Sequence, residues 1–330
     1  ITKLFKNISK KDVAIAGGKG ASLGEMTKAK IPVPPGFVIV VDGFDRFLQV
    51  TDLLAPIASE LKKINYKNIN SVDRASNVIR DLVNDAKMPG DIKKEILAEF
   101  KKLNAGYVAV RSSTTAEDSS IASWAGELET YLNTTQKTLF DNIKKCWSSL
   151  FTPRALFYAF EKKVFTQNLQ KTIRAMTCKK LLDCYPVGVA VVVQKMVQSE
   201  ISGICFTVHP VTKDKNQMII EAAWGLGEAI VGGQVTPDGY VVSKSDWAIL
   251  DINVSQQEKM ITRTGTAGGA SDAPVAKTKQ KKQKLSGQQI IKLAKLCAQI
   301  ETHYGSPQDI EWAIEGGKIY ITQSRPITTL

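Results

Sequence analysis

The sequence predicts an α+β fold in two lobes, because its first and second parts carry different patterns. Four early segments repeat apolar side chains at helical spacing: residues 43–63, 71–86, 90–103 and 137–165. After residue 187, short β-type runs alternate with turns that contain Gly or Pro. Helices followed by strands are typical of α+β architecture. With the boundary near Gln194, the N-terminal lobe comprises residues 1–193 and the C-terminal lobe residues 194–330.

In the first part, a few strands lie between the helices. A helix over 20–30 follows a Gly-rich turn and ends at a proline-rich stretch. Strands are predicted at 37–41 and 107–110. Ser71 and Asp91 are expected to cap the helices that begin near them. The helical pattern over 137–165 is expected to be interrupted near its proline, since an interior proline breaks a helix.

In the second part, residues 187–197 are nearly all β-branched, which predicts a strand buried on both faces. Four more strands are expected, at 203–208, 217–223, 239–244 and 249–254. A helix over 287–303 is closed by Gly305. Residues 263–286, rich in small residues and then in lysine, are interpreted as an exposed, mobile loop. A hairpin of 308–314 and 319–325 ends the chain.

Composition excludes several classes of protein. No apolar run approaches the roughly 18 residues of a membrane span, and the N-terminus lacks the apolar region of a signal peptide. The five cysteines are scattered without a CxxC pair, so neither a zinc site nor a disulfide framework is indicated. A reducing cytoplasm is therefore the expected location. The two histidines, His209 and His303, do not favour a catalytic His pair.

The net charge of +12 permits an anionic partner, from ATP to nucleic acid. The most concentrated basic run is residues 277–284. A nucleic-acid site would want aromatic side chains among the cations, and this run has none. We therefore expect neither nucleic acid nor a membrane as a partner.

The closing hairpin carries a cluster of oxygen donors beside a guanidinium. Asp309 and Glu311 share one face by alternation, and so do Gln323 and Arg325. A loop with an odd residue count (316–318) would set Glu311 opposite Gln323 and Asp309 opposite Arg325, whereas a two-residue loop would break that match. Such a cluster suits Mg²⁺ and a polyphosphate. The alternative is a surface hairpin with a cross-strand ion pair.

Two upstream segments suit phosphate. Residues 17–24 form a Gly-rich turn that opens a helix, where backbone amides approach an anion and Lys19 adds a cation. The Walker spacing is absent, and a plain strand-to-helix turn is the alternative. Arg111 ends a strand and is followed by hydroxyl side chains, a setting that favours phosphate oxygens. Alternatively, it pairs with Glu117 or Asp118.

Three further segments complete the candidates. Small residues over 119–127 form a loop able to close over a ligand, with Thr130 just beyond. The stretch 194–197 offers backbone groups to an adenine ring at a strand end. Met196 would be its apolar floor or simply a core residue. Glu221 could orient a cation, or it could be an edge-strand carboxylate.

Ten segments in this order resemble the ATP-binding domain of phosphoenolpyruvate synthase (pyruvate, water dikinase), a domain shared with pyruvate phosphate dikinase and rifampicin phosphotransferase. They are GGKGASLGEM, IPVPPGF, VAVRSS, TAED, SWAGELETYLN, VVVQKMV, SGICFTVHPVT, EAAWGLGE, GSPQDIEWA and ITQSRPIT. The resemblance covers nearly the whole chain. It implies an ATP-grasp fold, with ATP bound in the cleft between two lobes.

The resemblance implies Mg²⁺ as cofactor, ATP as substrate and a set of ATP-binding residues. Lys19, Arg111 and Arg325 would contact phosphates and act in catalysis, while Glu311 and Gln323 would bind Mg²⁺. The full implied set is Lys19, Arg111, Gly126, Thr130, Gln194, Met196, Val197, Asp309, Glu311, Gln323 and Arg325. Gly126 and Thr130 belong to a loop over the phosphates, Gln194, Met196 and Val197 to the adenine contact, and Asp309 to the support of the metal ligands.

The chain departs from the family pattern in places. Trp124 and Glu127 stand where the family has Phe and Gln, and Thr322 replaces a usual Leu. We expect the family's phosphohistidine domain and pyruvate-binding domain to lie outside these 330 residues, and His209 does not match the phosphohistidine motif. We therefore expect an excised domain of a longer enzyme that converts pyruvate to phosphoenolpyruvate. The alternatives are the same domain of a rifampicin phosphotransferase, a stand-alone nucleotide-binding module and a basic nucleic-acid binder.

Overall fold

The chain divides into two units in the computed structural model, which describes residues 1–116, 118–119, 122–123, 129–161, 179–183, 185, 187–265 and 268–328. Unit 1 comprises Ile1–Gly24 and Pro35–Lys195, and unit 2 comprises Glu25–Pro34 and Met196–Leu330. Each unit combines helices with antiparallel sheet, which confirms the predicted α+β class. Nothing in the sequence indicated that residues 25–34 would group with the strand-rich part.

Each predicted strand has a counterpart with ends shifted by a few residues, whereas the helix predicted over 20–30 begins at Val13 with a left-handed break at Gly17, and residues 162–165 of the helical region 137–165 lie outside the described residues. The helices are α1 Val13–Lys28, α2 Val41–Val50, α3 Leu54–Lys62, α4 Ile69–Asp85, α5 Gly90–Lys102, α6 Leu139–Ser148, α7 Pro153–Glu161, α8 Glu228–Val231 and α9 Gly287–Tyr304. Within the described ranges, no helix has both the length and the apolarity that crossing a membrane requires.

The strands of unit 1 are β1 Thr2–Leu4, β2 Gly36–Ile39, β3 Val108–Thr114, β4 Asp118–Ser119, β5 Ala122–Ser123, β6 Thr130–Thr134 and β7 Val189–Lys195. Those of unit 2 are β8 Ile201–Phe206, β9 Gln217–Trp224, β10 Asp238–Ser243, β11 Ile249–Asn253, β12 Lys259–Arg263, β13 Ala270–Pro274, β14 Gln308–Glu315 and β15 Lys318–Pro326.

The predicted helix over 43–63 is two helices, so that part of the prediction is wrong. The chain turns between α2 and α3, where Asp52 adopts a left-handed conformation with φ 53°. The physical reason is Pro56, which lacks an N–H and therefore fits only the first turn of a helix. The helix must restart at Leu54, two residues before the proline.

The predicted helix caps are also wrong. Asn68 caps α4, and its side chain accepts a hydrogen bond from the Asn70 N–H at 3.0 Å. Ser71 lies inside that helix and accepts instead from the N–H of Asn65. At α5 the cap position is Pro89 rather than Asp91, which falls in the first turn and there complements the helix dipole.

Unit 1 is built around a five-stranded antiparallel sheet in the order β1-β2-β7-β3-β6. One face packs on the helices, and its core includes Phe37, Val110 and Val193 from the strands and Trp147 from α6. The residues of β7 are buried up to its last position, as the β-branched run predicted. The other face receives α1, where Gly20 lies against Val38.

Unit 2 is built around a six-stranded antiparallel sheet in the order β11-β10-β9-β8-β14-β15. Helix α9 covers one face. The evidence is a side-chain hydrogen bond between two buried thiols, Cys297 of α9 and Cys205 of β8. Ile310 pairs with Cys205 in the neighbouring strand and shares that face. Since strand side chains alternate, Asp309 and Glu311 lie on the opposite face.

Most described residues of the segment 263–286 are exposed, as predicted, but the segment is not a plain loop, because residues 270–274 form a strand and its lysine run ends in a buried ion pair. Lys284 and Asp238 both have side chains with 0% exposure, and their charged atoms lie 2.7 Å apart. The Asp238 carboxylate also accepts hydrogen bonds from the N–H groups of Lys284 and Ser255 and from the Tyr240 hydroxyl. Farther upstream, β13 pairs with β12.

The aromatic residue that the basic run lacks in sequence comes from β9. Lys279 places its ammonium 5.3 Å from the centre of the Trp224 ring, and its carbonyl accepts a hydrogen bond from the indole at 3.3 Å. Gln257 in turn binds the backbone N–H and carbonyl of Trp224. The basic segment is therefore fastened to the sheet at two positions, Lys279 and Lys284.

Candidate functional site

In unit 1, the Gly-rich turn is fixed against the end of β3. Gly17 has φ 68°, and a Cβ on it would lie 2.3 Å from the carbonyl oxygen of Ser113. Only glycine fits this left-handed position and close approach. The Ser113 hydroxyl donates to the Ala16 carbonyl at 2.9 Å and accepts from the Gly20 N–H at 3.1 Å. The turn that carries Lys19 is thus held at one place on the sheet.

Arg111 lies on the same strand, two residues before Ser113, and so on the same face of the sheet. Its side chain is 8% exposed. In the neighbouring strand β6, Thr130 is the residue opposite Arg111. The structure therefore brings three predicted residues, Lys19, Arg111 and Thr130, to one face of the unit 1 sheet. Together they supply two cations and a hydroxyl.

The residue before Thr130 is a carboxylate that the sequence did not single out. Glu129 accepts a hydrogen bond from Arg80 at 3.0 Å and another from the Tyr131 hydroxyl. Burial raises the pKa of Glu129, and the nearby cations Arg80 and Lys145 oppose the rise. The ion pair with Arg80 offsets part of the negative charge that Glu129 would otherwise place beside a bound phosphate.

Part of the predicted loop lies outside the described residues. Gly126 is among them, and so are Trp124 and Glu127, the two departures from the family pattern. Glu117 is also outside, and the side chain of Asp118 is not described. The alternative in which Arg111 pairs with one of these two carboxylates therefore stays open.

The predicted adenine-contact stretch begins in unit 1 and ends in unit 2. Gln194 is 2% exposed in β7 and pairs with Gly36 and Ala109 in the flanking strands. After the strand ends, Met196 is half-buried and Val197 is buried. Their role in contacting adenine stays a prediction.

In unit 2, the predicted cross-strand pairing of the hairpin is confirmed. Glu311 lies opposite Gln323, and Asp309 lies opposite Arg325. The condition attached to that prediction is wrong, because Glu315 pairs directly with Lys318 across a two-residue loop. An irregularity in the ladder, not an odd loop, produces the match.

That irregularity is a β-bulge. Trp312 pairs with Ile321, whereas its neighbour Glu311 pairs with Gln323, so Thr322 is the extra residue in β15. The bulge shifts the alternation of side chains by one position. Ile321 is fully buried on the face that α9 covers, and Gln323, two residues later, faces the other way beside Glu311.

Asp309 and Arg325 form the cross-strand ion pair that was the alternative interpretation. The guanidinium nitrogens Nη2 and Nε lie 2.7 and 2.9 Å from Oδ2 of Asp309. Burial raises the pKa of Asp309, Arg325 opposes the rise, and Glu311 adds to it. The Arg325 side chain keeps 42% of its exposure, so part of the guanidinium faces solvent.

Glu221, which the sequence singled out as able to orient a cation but which the resemblance did not include, extends this face. It pairs with Ile204 of β8, which in turn pairs with Glu311. A single row of paired residues therefore crosses four neighbouring strands, in the order Glu221, Ile204, Glu311 and Gln323. Burial raises the pKa of Glu221, and the charge of Asp309 adds to the rise. Because β9 is an interior strand, the edge-strand interpretation of Glu221 is wrong.

The described residues include no group of three or more His, Cys, Asp or Glu side chains poised to hold a metal ion. The oxygen donors of Glu311 and Gln323 are nevertheless adjacent on one face. Mg²⁺ commonly takes only one or two protein ligands and completes its shell with phosphate and water. This donor pair therefore fits an ion that arrives with a nucleotide.

The two histidines have structural surroundings. In unit 2, Nδ1 of His209 accepts hydrogen bonds from the N–H groups of Val211 and Thr212, which closes a turn. His303, near the end of α9, lies 2.9 Å from a carboxylate oxygen of Glu25. In these contacts His209 holds a turn and His303 pairs the end of α9 with Glu25.

Comparison with known proteins gives a family match over residues 13–330, to the AMP/ATP-binding domain of pyruvate phosphate dikinase. A probable phosphoenolpyruvate synthase of Archaeoglobus fulgidus is 44% identical over 330 residues, which cover 98% of this chain and 41% of that protein. The corresponding protein of Methanocaldococcus jannaschii is 42% identical, with 98% and 26% covered. A rifampicin phosphotransferase of Bacillus cereus is 36% identical, with 99% and 36% covered. The chain thus spans less than half the length of each relative.

Proposed function

Because this chain belongs to the pyruvate phosphate dikinase AMP/ATP-binding domain family, we propose that it binds Mg-ATP and supports phosphoryl transfer to a histidine of a separate domain. The whole reaction would convert ATP, pyruvate and water to AMP, phosphoenolpyruvate and phosphate. An ATP-grasp fold is part of the proposal. The observation that carries it is the row from Glu221 to Gln323, beside Arg325, in a chain with this family match.

The residues of unit 1 would act on the phosphates. Lys19 and Arg111 would neutralise charge on the transferring group, which is the main task of a protein in phosphoryl transfer. Their support is rigid, since the turn is clamped by Ser113 and Arg111 stands on a buried strand. Thr130 would add a hydroxyl, and the loop with Gly126 would cover the phosphates.

The residues of unit 2 would act on the metal and the terminal phosphates. Glu311 and Gln323 would hold Mg²⁺, which supplies charge neutralisation between phosphate oxygens. Asp309 would orient Arg325 through their ion pair, leaving the exposed part of the guanidinium to the phosphates. The adenine would be read by the backbone of residues 194–197.

Calorimetric titration with ATP, with and without Mg²⁺, tests the proposal on two matched pairs of variants. Lys19→Met is compared with Lys28→Met, a change of the same kind at an exposed site on the same helix. Glu311→Gln is compared with Glu315→Gln on the same strand. Loss of about tenfold or more in affinity, roughly 1.4 kcal/mol, is expected for the first member of each pair and not for the second.

The metal role has its own signature. The affinity loss of Glu311→Gln should shrink when Mg²⁺ is removed with a chelator, whereas that of Lys19→Met should persist. Absence of any Mg-dependent ATP binding by the unaltered chain would overturn the proposal. Turnover of pyruvate by this chain without another domain would contradict the proposal that a separate domain accepts the phosphoryl group.

An antibiotic is the second candidate for the final phosphoryl acceptor, because a rifampicin phosphotransferase also matches over 99% of the chain. In that case Mg-ATP binding and its residues would be the same, and only the acceptor would differ. The coding sequence beyond residue 330 separates the two, through a pyruvate-binding domain or an antibiotic-binding domain. The higher identity to the synthases favours pyruvate.

A further inference from the structure

An open groove of about 680 Å³ lies on unit 2, between the turn that precedes β11 and the first half of α9. It belongs to neither set of residues assigned to ATP. The floor is apolar and consists of Trp247, Ile249 and Ile291. Lys292 and Lys295 form the rim along α9.

The groove is electropositive. Both rim lysines are exposed, and no Asp or Glu lines the groove. Within the described ranges, neither lysine forms an ion pair, although Lys295 places its ammonium 5.6 Å from the centre of the Trp247 ring. The start of α9 adds the positive end of an 18-residue helix. Charge complementarity therefore selects an anionic occupant.

The indole on the floor is held there by a strained backbone. Trp247 has φ 62°, a left-handed conformation that a bulky side chain rarely adopts. The turn is braced by two hydrogen bonds, from the Ala248 N–H to the Asp246 carboxylate and from the Ser243 N–H to the Ala248 carbonyl. Strain of this kind persists only where the surrounding structure enforces it, and it is concentrated at functional positions.

We propose that this groove docks an acidic polypeptide segment that carries an apolar side chain. The apolar side chain would lie on the floor against Trp247, and the flanking carboxylates would meet Lys292 and Lys295. A polypeptide fits better than a small molecule, because sites for small ligands bury most of the ligand surface and this groove is open. The proposal is independent of ATP binding.

The probe is a fluorescein-labelled model peptide of ten residues that alternates Glu and Leu, measured by fluorescence anisotropy on the full chain. Lys292→Glu with Lys295→Glu is compared with Lys281→Glu with Lys282→Glu. The second pair removes the same charge from exposed lysines elsewhere on unit 2. We expect the first pair to weaken binding about tenfold or more beyond the second, since it alone places carboxylates at the rim.

A third variant tests the floor without altering charge. Trp247→Asn introduces a residue that tolerates the left-handed backbone at this position. It should weaken binding of the Glu/Leu peptide but not that of a Glu/Ser peptide. Equal losses for the two double variants would overturn the proposal, because binding would then follow net charge alone. Binding of indole-3-acetate with no binding of the peptide would also overturn it, in favour of a small-molecule site.

Discussion

Replacing Lys284 by Met should destabilise unit 2 strongly, although the residue belongs to a run of lysines. The Asp238 carboxylate accepts four hydrogen bonds, two of them from Lys284, and both side chains have 0% exposure. Methionine nearly preserves the side-chain volume but removes the only cation of this buried pair. Breaking a buried ion pair from one side typically costs about 3–5 kcal/mol, because an uncompensated charge stays buried.

The matched control is Lys282→Met, which removes an exposed lysine from the same segment. A surface substitution of this kind usually changes stability by less than about 0.5 kcal/mol. The double variant Asp238→Asn with Lys284→Met removes both charges and should recover part of the loss. Replacing both charged partners leaves no unpaired ion, so the two changes should be strongly non-additive.

Hydrogen exchange read by mass spectrometry is the suitable assay, because it reports on β10 and on the basic segment separately from unit 1. A loss of about 3–5 kcal/mol corresponds to a rise of roughly 10²- to 10⁴-fold in the opening of β10 amides, where exchange follows local stability. If Lys284→Met exchanges no faster than Lys282→Met, the reasoning about the buried pair is refuted.

Three further outcomes are expected. Gly17→Ala should destabilise unit 1 by about 2 kcal/mol or more, since it adds backbone strain and places a Cβ 2.3 Å from the Ser113 carbonyl oxygen. Gly90→Ala should not, because a Cβ there would meet nothing within 4 Å. Urea denaturation of the two variants compares their stabilities. Burial raises the pKa of Glu221, so its contribution to stability is present below the unfolded-state pKa and is lost as pH rises through the folded-state pKa. Glu221→Gln should therefore be more stable than the parent at pH 8, with the difference vanishing near pH 4; lower stability at pH 8 would contradict this. Arg325→Ala should lower the free energy of unfolding by about 1 kcal/mol or less, because the guanidinium is partly exposed. It should also raise the pKa of Asp309 further, which a carbon-13 NMR titration measures.

Periodicity was sufficient to predict most elements of the fold, because alternation and helical spacing are local properties of the chain. It was not sufficient at the break between α2 and α3. There the apolar spacing continues across Asp52, and only the demand of Pro56 for a first-turn position stops the helix. Caps were missed for a similar reason, since Asn68 and Ser71 are both good capping residues and the choice depends on packing.

The sequence was sufficient to predict the two residue pairs of the closing hairpin, but not that the polar face continues to Glu221 in another strand. The opposition of Glu311 and Gln323 follows from two short strands close in sequence. Glu221 joins them only through Ile204, and such a four-strand register is invisible without the sheet. The burial of Lys284 was missed because its partner, Asp238, lies 46 residues away and a lysine run ordinarily indicates solvent.

The bulge at Thr322 means that β15 holds one residue more than its register needs. With Thr322 outside the ladder, Ile321 pairs with Trp312 and Gln323 pairs with Glu311. Deleting Thr322 would place Gln323 directly after Ile321 in a regular ladder, so Gln323 and Arg325 would stay opposite Glu311 and Asp309. Among natural variants of this hairpin, we therefore expect both substitutions and one-residue deletions at 322, but no deletion between Gln323 and Arg325.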